Sequence, residues 1–184
     1  MRLNNTEERR GLATPMPGMR PKNSTKPGFS APPPVFWQCV HCRRMLIEPQ
    51  AAPGSAAPDC CATPMQALAA QNADAPGAHD HRVAMQVFGG FDANALTVSV
   101  GETPHPTEAA HRILWLYLYT FQGGQLKFLS PGEPANVTFP LAGKDAYVYC
   151  DRRICKGRRC KFNCKRGFRV FAYCSRDGLW LSAF

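Results

Sequence analysis

The residues most able to do chemistry are the cysteines, nine in 184 residues, and they fall into two groups of four and a singleton. Cys39-Val-His-Cys42 is a C-x2-C pair, and after seventeen intervening residues comes the vicinal pair Cys60-Cys61. A C-x2-C knuckle sets two thiolates on one side of a tight turn. A second pair completes an all-sulfur tetrahedron for iron or zinc. Neighbouring cysteines must twist to reach one ion, which should distort that tetrahedron. His41, inside the knuckle, reads as an exposed loop residue. The second group, Cys150, Cys155, Cys160 and Cys164, is C-x4-C-x4-C-x3-C among arginines and lysines. Four thiolates on one short loop suit zinc or an iron–sulfur cluster, with zinc as a structural staple slightly favoured. Lacking a C-x2-C pair, the same four also read as free or disulfide-capable cysteines on a hairpin.

The compartment bears on that choice. The first thirty residues are charged and proline-rich and lack the apolar centre of a secretory signal, so a cytoplasmic protein is expected. Thiols stay reduced there, which favours metal over disulfides. No stretch of eighteen apolar residues exists, and the run 113–119 is too short to cross a bilayer. The net charge is +9 and unevenly placed, with ten Lys or Arg against one Asp over 150–176. Such a cluster attracts nucleic acid, acidic partners or small anions, or simply solvates a face.

Seventeen prolines and fifteen glycines favour turns and strands over helices. Residues 1–35 have the composition of a disordered tail. A compact cysteine-bearing module is expected over 36–70, a linker with one helical turn over 71–80, and a β-domain over 81–184. Strand-type runs fall at 82–88, 96–100, 113–121, 125–129, 135–141, 146–150, 168–174 and 179–184. In the run 113–121, Ile113, Trp115, Tyr117, Tyr119 and Phe121 alternate with Leu114, Leu116, Leu118 and Thr120. Both faces are apolar, as in a central strand. Gln122-Gly123-Gly124-Gln125 is a hairpin turn. Seven or eight short strands with frequent turns predict an immunoglobulin-like antiparallel β-sandwich, preceded by the small metal module.

The stretch CVHC…CCATPMQAL, with Pro64-Met65 after the vicinal pair, resembles the desulforedoxin module at the front of desulfoferrodoxins. The resemblance implies a rubredoxin-like iron centre on Cys39, Cys42, Cys60 and Cys61, with zinc on the same ligands left open. Further on, the HPxxxxH element from His105 to His111 and the YCxxxGLW ending from Tyr173 to Trp180 resemble the iron domain of superoxide reductases. Asp80-His81 and the segment 128–134 add to that likeness. It runs over 36–184, interrupted by the basic cysteine insertion at about 150–166. It implies that His81, His105 and His111 give equatorial nitrogens to a mononuclear iron, and that Cys174 is the axial thiolate opposite an open position. Superoxide would take one electron there and leave as hydrogen peroxide, and an external donor such as a rubredoxin-like protein would restore Fe(II). A homodimer stays open.

The pattern is broken in two places. The fourth equatorial histidine is replaced by Asp177, which can ligate through oxygen; alternatively His79, two residues before His81, supplies the nitrogen. The family's Glu-Lys before the first ligand histidine is here His79-Asp80, so the anion-attracting lysine is absent, replaced by Arg82 or the basic insertion, or lost. Tyr149-Cys150 also ends a strand-type run, but Gly178-Leu179-Trp180 follows Cys174 as the family ending requires, which favours Cys174 as axial. Two other readings compete: a non-catalytic iron or electron-transfer protein of the same fold, and a Cys-rich zinc protein whose basic loop binds nucleic acid. The last leaves His105 and His111 without a task, and is disfavoured.

Overall fold

The computed structural model describes residues 32–49, 51–52, 54–72, 74–89, 94–146 and 168–183. Three short strands, β1 (Val35–Gln38), β2 (Met45–Glu48) and β5 (Gln66–Ala67), form a sheet in the order β2-β1-β5. The hairpin β3 (Asp59–Cys60) and β4 (Thr63–Pro64) hangs beside it. One helical turn, α1 (Ala78–His81), leads into β6 (Val83–Gly89), β7 (Asn94–Val100), β8 (Thr107–Glu108), β9 (His111–Tyr119), β10 (Gly124–Phe128) and β11 (Asn136–Leu141). A second turn, α2 (Gly143–Ala146), then β12 (Arg169–Cys174) and β13 (Gly178–Ala183) complete the described chain.

The strands make an antiparallel sandwich, as expected. One sheet runs β10-β9-β12-β13 with β8 paired to β9, and the other runs β11-β7-β6. Strand β7 shows why they face each other: Leu96, Val98 and Val100 are buried while Ala95, Thr97 and Ser99 are only half-buried, the period of two of a one-sided strand. Those residues meet Leu116, Leu118, Phe139, Val170, Ala172 and Cys174 in the core between the sheets.

The back of the larger sheet is apolar too, and the first sheet covers it. Phe36 packs on Trp115, Tyr117 and Phe171, with Met45, Ile47 and Leu68 alongside. This is why both faces of β9 are apolar.

The expected alternation of 113–121 needs one correction. Cys174 pairs with Ile113 but Tyr173 pairs with Trp115, so β9 carries one extra residue in a bulge. Ile113 therefore joins Leu116 and Leu118 in the core, while Leu114 and Trp115 both belong to the back face. By the same period, His111 is turned to the core side of the sheet, where Cys174 lies.

Two further expectations change. Residues 71–80 are not a free linker: Gln71 bridges β13 through hydrogen bonds of 2.8 Å to Leu179 and from Leu181, and Ala78 is in the core. The start of the expected strand 146–150 is helical in α2, where Gly143 has φ 53° and Asp145 accepts a 2.6 Å bond from Thr120 Oγ1. Residues 147–150 lie outside the described residues, as do the 1–31 part of the expected tail and the basic insertion.

Candidate metal centre

Two groups of donor atoms converge among the described residues, each with all its atoms within 4.8 Å of one another. The first is Cys39, Cys42, Cys60 and Cys61. The knuckle is closed by the Arg43 N–H to the Cys39 carbonyl at 3.1 Å and the Cys39 N–H to the Arg44 carbonyl at 2.9 Å. His41 is exposed, as expected. The twist required of the vicinal pair is present in the backbone. Cys61 and Ala62, the two central residues of the β3–β4 hairpin, have φ of 52° and 60°. Two positive φ values are the mark of a type I′ turn, which glycine or asparagine usually fills. Here a Cys and an Ala adopt it, which aims Cys60 and Cys61 toward the knuckle: Cys60 Sγ lies 3.6 Å from Cys42 Sγ and 4.0 Å from Cys61 Sγ. Backbone N–H groups of Cys42 and His41 lower Cys39 to about 6, against the cost of desolvation. Hydrogen bonds to Cys42 and Cys39 push Cys60 up to about 12 and raise Cys61 as well. Four thiols this close resist becoming four thiolates unless a cation joins them.

The second group is His81, His105, His111, Cys174 and Asp177. His81 ends α1, and its ring lies flat on Trp180, with centroids 4.3 Å apart and planes within 1°. His105 sits in the turn after β7, where Gly101 brings that turn against α1. The N–H of Gly101 bonds the Arg82 carbonyl at 2.8 Å, and that of Glu102 bonds the His79 carbonyl at 3.0 Å. A side chain on Gly101 would put its Cβ 2.2 Å from the Thr103 carbonyl oxygen and 3.0 Å from that of Asp80. His111 opens β9, and Ser175 pins it: the Arg112 N–H donates to Ser175 Oγ at 3.1 Å, and Ser175 Oγ donates to the Ala110 carbonyl at 3.3 Å. Cys174 closes β12 and is fully buried. Asp177 lies in the tight turn to β13, across which Cys174 pairs with Gly178.

The protonation pattern tests whether a metal fits. Nδ1 of His81 donates to the Gly77 carbonyl at 3.0 Å, and Nδ1 of His105 donates to the Pro106 carbonyl at 2.9 Å. In a neutral ring that tautomer leaves the lone pair on Nε2, and the two Nε2 atoms face each other at 3.2 Å in a buried place. Asp177 Oδ2 adds negative charge 3.3 Å from His81 Nε2. Lone pairs so arranged repel unless a cation lies among them, and backbone-held Nδ1–H groups are the usual outer support of metal-binding imidazoles. The donor set suits a transition metal. Desolvation lowers His105, which favours the neutral ring that a metal needs. Burial raises Cys174, opposed by the peptide N–H groups of Arg176 and Asp177, which point at its sulfur. Burial also works against the Asp177 carboxylate, but the Cys174 thiol, at 3.3 Å, and His81 and His111 hold it below the ordinary range. His111 Nε2 is 2.9 Å from the same oxygen.

A cleft of about 300 Å³ opens on this group. His81, His111 and Asp177 are on its wall together with Asp80, Arg176 and Trp180, whereas the buried His105 and Cys174 do not line it.

Of the two alternatives for the fourth equatorial place, Asp177 is in the cluster and His79 is not. His79 is 68% exposed and turned 3.1 Å from Asp80. Cys174, the favoured axial residue, is in the cluster; Cys150 and the rest of the second cysteine group lie outside the described residues. Sequence reasoning missed Gly101, which permits the close approach of the His81 and His105 segments, and Ser175, which ties His111 to the Cys174 turn. A glycine four residues before His105 and a serine directly after Cys174 were the available signals.

The desulfoferrodoxin family model matches residues 79–183. A desulfoferrodoxin homolog from Methanothermobacter thermautotrophicus is 30% identical over 102 residues, which is 54% of this chain and 78% of that protein. The desulfoferrodoxin of Nitratidesulfovibrio vulgaris is 30% identical over 118 residues, 63% of this chain and 88% of that one. In fold, the chain is similar to the superoxide reductase from Treponema pallidum, with a TM-score of 0.56 at 21% identity over 82% of this chain and 98% of that one. With the model spanning all five donors of the second group, the chain belongs to the desulfoferrodoxin family.

Proposed function

We propose that this chain is a superoxide reductase, adding one electron and two protons to superoxide and releasing hydrogen peroxide. The observation that carries this reading is the pair of buried imidazole Nε2 atoms 3.2 Å apart, with a thiol and a carboxylate beside them. His81, His105 and His111 would hold the metal by nitrogen, Cys174 by sulfur and Asp177 by oxygen, and the four cysteines 39, 42, 60 and 61 a second iron or zinc. Iron in the His/Cys group supplies one-electron redox chemistry. The chain's own residues supply the setting. Trp180 holds the His81 ring in one plane, and Ser175 holds the His111 segment. The peptide N–H groups of Arg176 and Asp177 favour the thiolate of Cys174. A small anion enters by the cleft, and water there delivers both protons. An external one-electron donor, such as a rubredoxin-like protein, completes the cycle.

One observation favours a second reading, a non-catalytic iron protein of the same fold: Asp80 and Asp177 both face the cleft and oppose an anion. A single experiment separates the two. Protein loaded anaerobically with Fe(II) should develop a thiolate-to-iron charge-transfer band on oxidation, and superoxide should produce that band while releasing one peroxide per superoxide consumed. His105→Ala should lose this band and keep the cysteine centre. A band that forms with other oxidants, but not with superoxide, would leave only the non-catalytic reading.

A further inference from the structure

An anion entering this cleft passes two carboxylates, so a nearby positive charge decides how fast it arrives. Arg176 is the one lysine or arginine among the described residues of the cleft wall. Its backbone is fixed between Ser175, clamped to the 110–112 segment, and Asp177, inside the donor group. Its side chain is exposed, and no carboxylate among the described residues pairs with it. The other arginines of the region are committed elsewhere. Arg82 is bound to Glu102, Arg112 donates to the Leu129 carbonyl, and Arg169 is at the opposite end of β12, beside Ala183. We propose that Arg176 is the residue that draws the small anionic substrate into the cleft, a role that rests on the superoxide reductase reading above. A guanidinium keeps its charge, and a positive charge on the wall of a cleft raises the local anion concentration. The effect must fade as salt screens it.

The test uses the iron-loaded protein and two readouts. One is the second-order rate with superoxide at several ionic strengths. The other is the affinity for azide, a small inorganic anion, followed through the thiolate-to-iron band. Arg176→Gln should lower the rate at low salt by about three- to ten-fold and weaken azide by a similar factor. The gap should shrink as ionic strength rises, with the band itself unmoved. Arg176→Lys should recover most of both, and Arg82→Gln should behave as wild type. If Arg176→Gln matches wild type in rate, salt dependence and azide affinity, the role of Arg176 is overturned while the reading of the centre stands. If the wild type itself does not react with superoxide, that reading is overturned and this role with it.

Discussion

Phe36→Ala asks whether the cysteine module and the sandwich are one folding unit. Phe36 is 2% exposed and packs its ring on three aromatic residues of the larger sheet: 5.2 Å from Trp115, 5.6 Å from Tyr117 and 4.9 Å from Phe171, between centroids. A phenylalanine buries roughly 200 Å², and at about 25 cal/mol per Å² its burial contributes about 5 kcal/mol as an upper bound. Residual burial in the unfolded chain trims that by roughly 10–40%, while the cavity left behind adds to the cost of truncation. The substitution should therefore cost about 3–4 kcal/mol. For a chain of this length that is a fall in Tm of roughly 6–16 °C. Urea unfolding of the reduced, metal-free protein, followed by tryptophan fluorescence, is a suitable assay because Trp115 sits in the contact. A single transition, shifted by that amount, is expected. A loss under about 1 kcal/mol, or a separate module transition with the sandwich unmoved, would refute the argument that β1 docks on β9 and β12 as part of the core.

Three other outcomes follow from the geometry around the two centres. Gly101→Ala combines a φ of 92° with a 2.2 Å approach to a carbonyl oxygen, so it should cost at least about 2 kcal/mol and lower iron retention by the His105 group; unchanged melting and metal content would contradict it. Burial lowers the pKa of His105, so the unfolded chain takes up that proton first; stability of the metal-free protein should fall as pH drops through the ordinary histidine value of 6.5. Urea midpoints between pH 8 and 5.5 check this, and a flat profile would count against a buried neutral His105. Zinc added to the cysteine centre at pH 7 should release at least two protons, those of Cys60 and Cys61, whose pKa values are raised; an indicator-dye titration showing none would remove the coupling described for that cluster.

Much of the sandwich was legible because its strands are one-sided or fully apolar, and period-two patterns such as 96, 98, 100 translate directly into faces. The bulge in β9 was not. A bulge is one residue of slip between two strands, and only the partner's register, Cys174 against Ile113, reveals it. The role of residues 71–80 was also hidden. Their alanines and polar residues look like a linker, yet the segment is fixed through backbone bonds of Gln71, which any side chain can make, and its Nε2 bond of 2.6 Å to the Asp177 carbonyl. The three histidines and Cys174 came from motif likeness, not from spacing, since they approach from four separate segments. Beside Asp177 the sequence left His79 as an alternative, because an extended segment would have put His79 beside His81. The segment is a helical turn instead, which sends the two side chains apart.

Position 177 is where this chain's chemistry departs from the pattern it resembles, and the backbone explains how the departure is tolerated. The turn from Cys174 to Gly178 is tight, with Gly178 at φ 81°, so residue 177 is delivered to the thiol whatever its side chain. Asp177 Oδ2 reaches His81, His111 and Cys174 together, at 3.3, 2.9 and 3.3 Å. If the centre holds iron as proposed, the backbone keeps residue 177 in a donor place, and the donor atom is an oxygen where the pattern it resembles has a nitrogen. An ionised Asp beside an ionised Cys gives the donor set two negative charges where the histidine pattern gives one, and the added charge stabilises the ferric over the ferrous state. Asp177→His should therefore raise the reduction potential of the iron-loaded centre while keeping one iron in it. Asp177→Ala should weaken iron binding there without disturbing the cysteine centre. Redox titration of the charge-transfer band decides the matter, because a carboxylate that merely lines the cleft shifts the potential little, whereas a ligand cannot be exchanged without moving it. An unchanged potential in both variants would place Asp177 outside the donor set and leave three nitrogens and one sulfur.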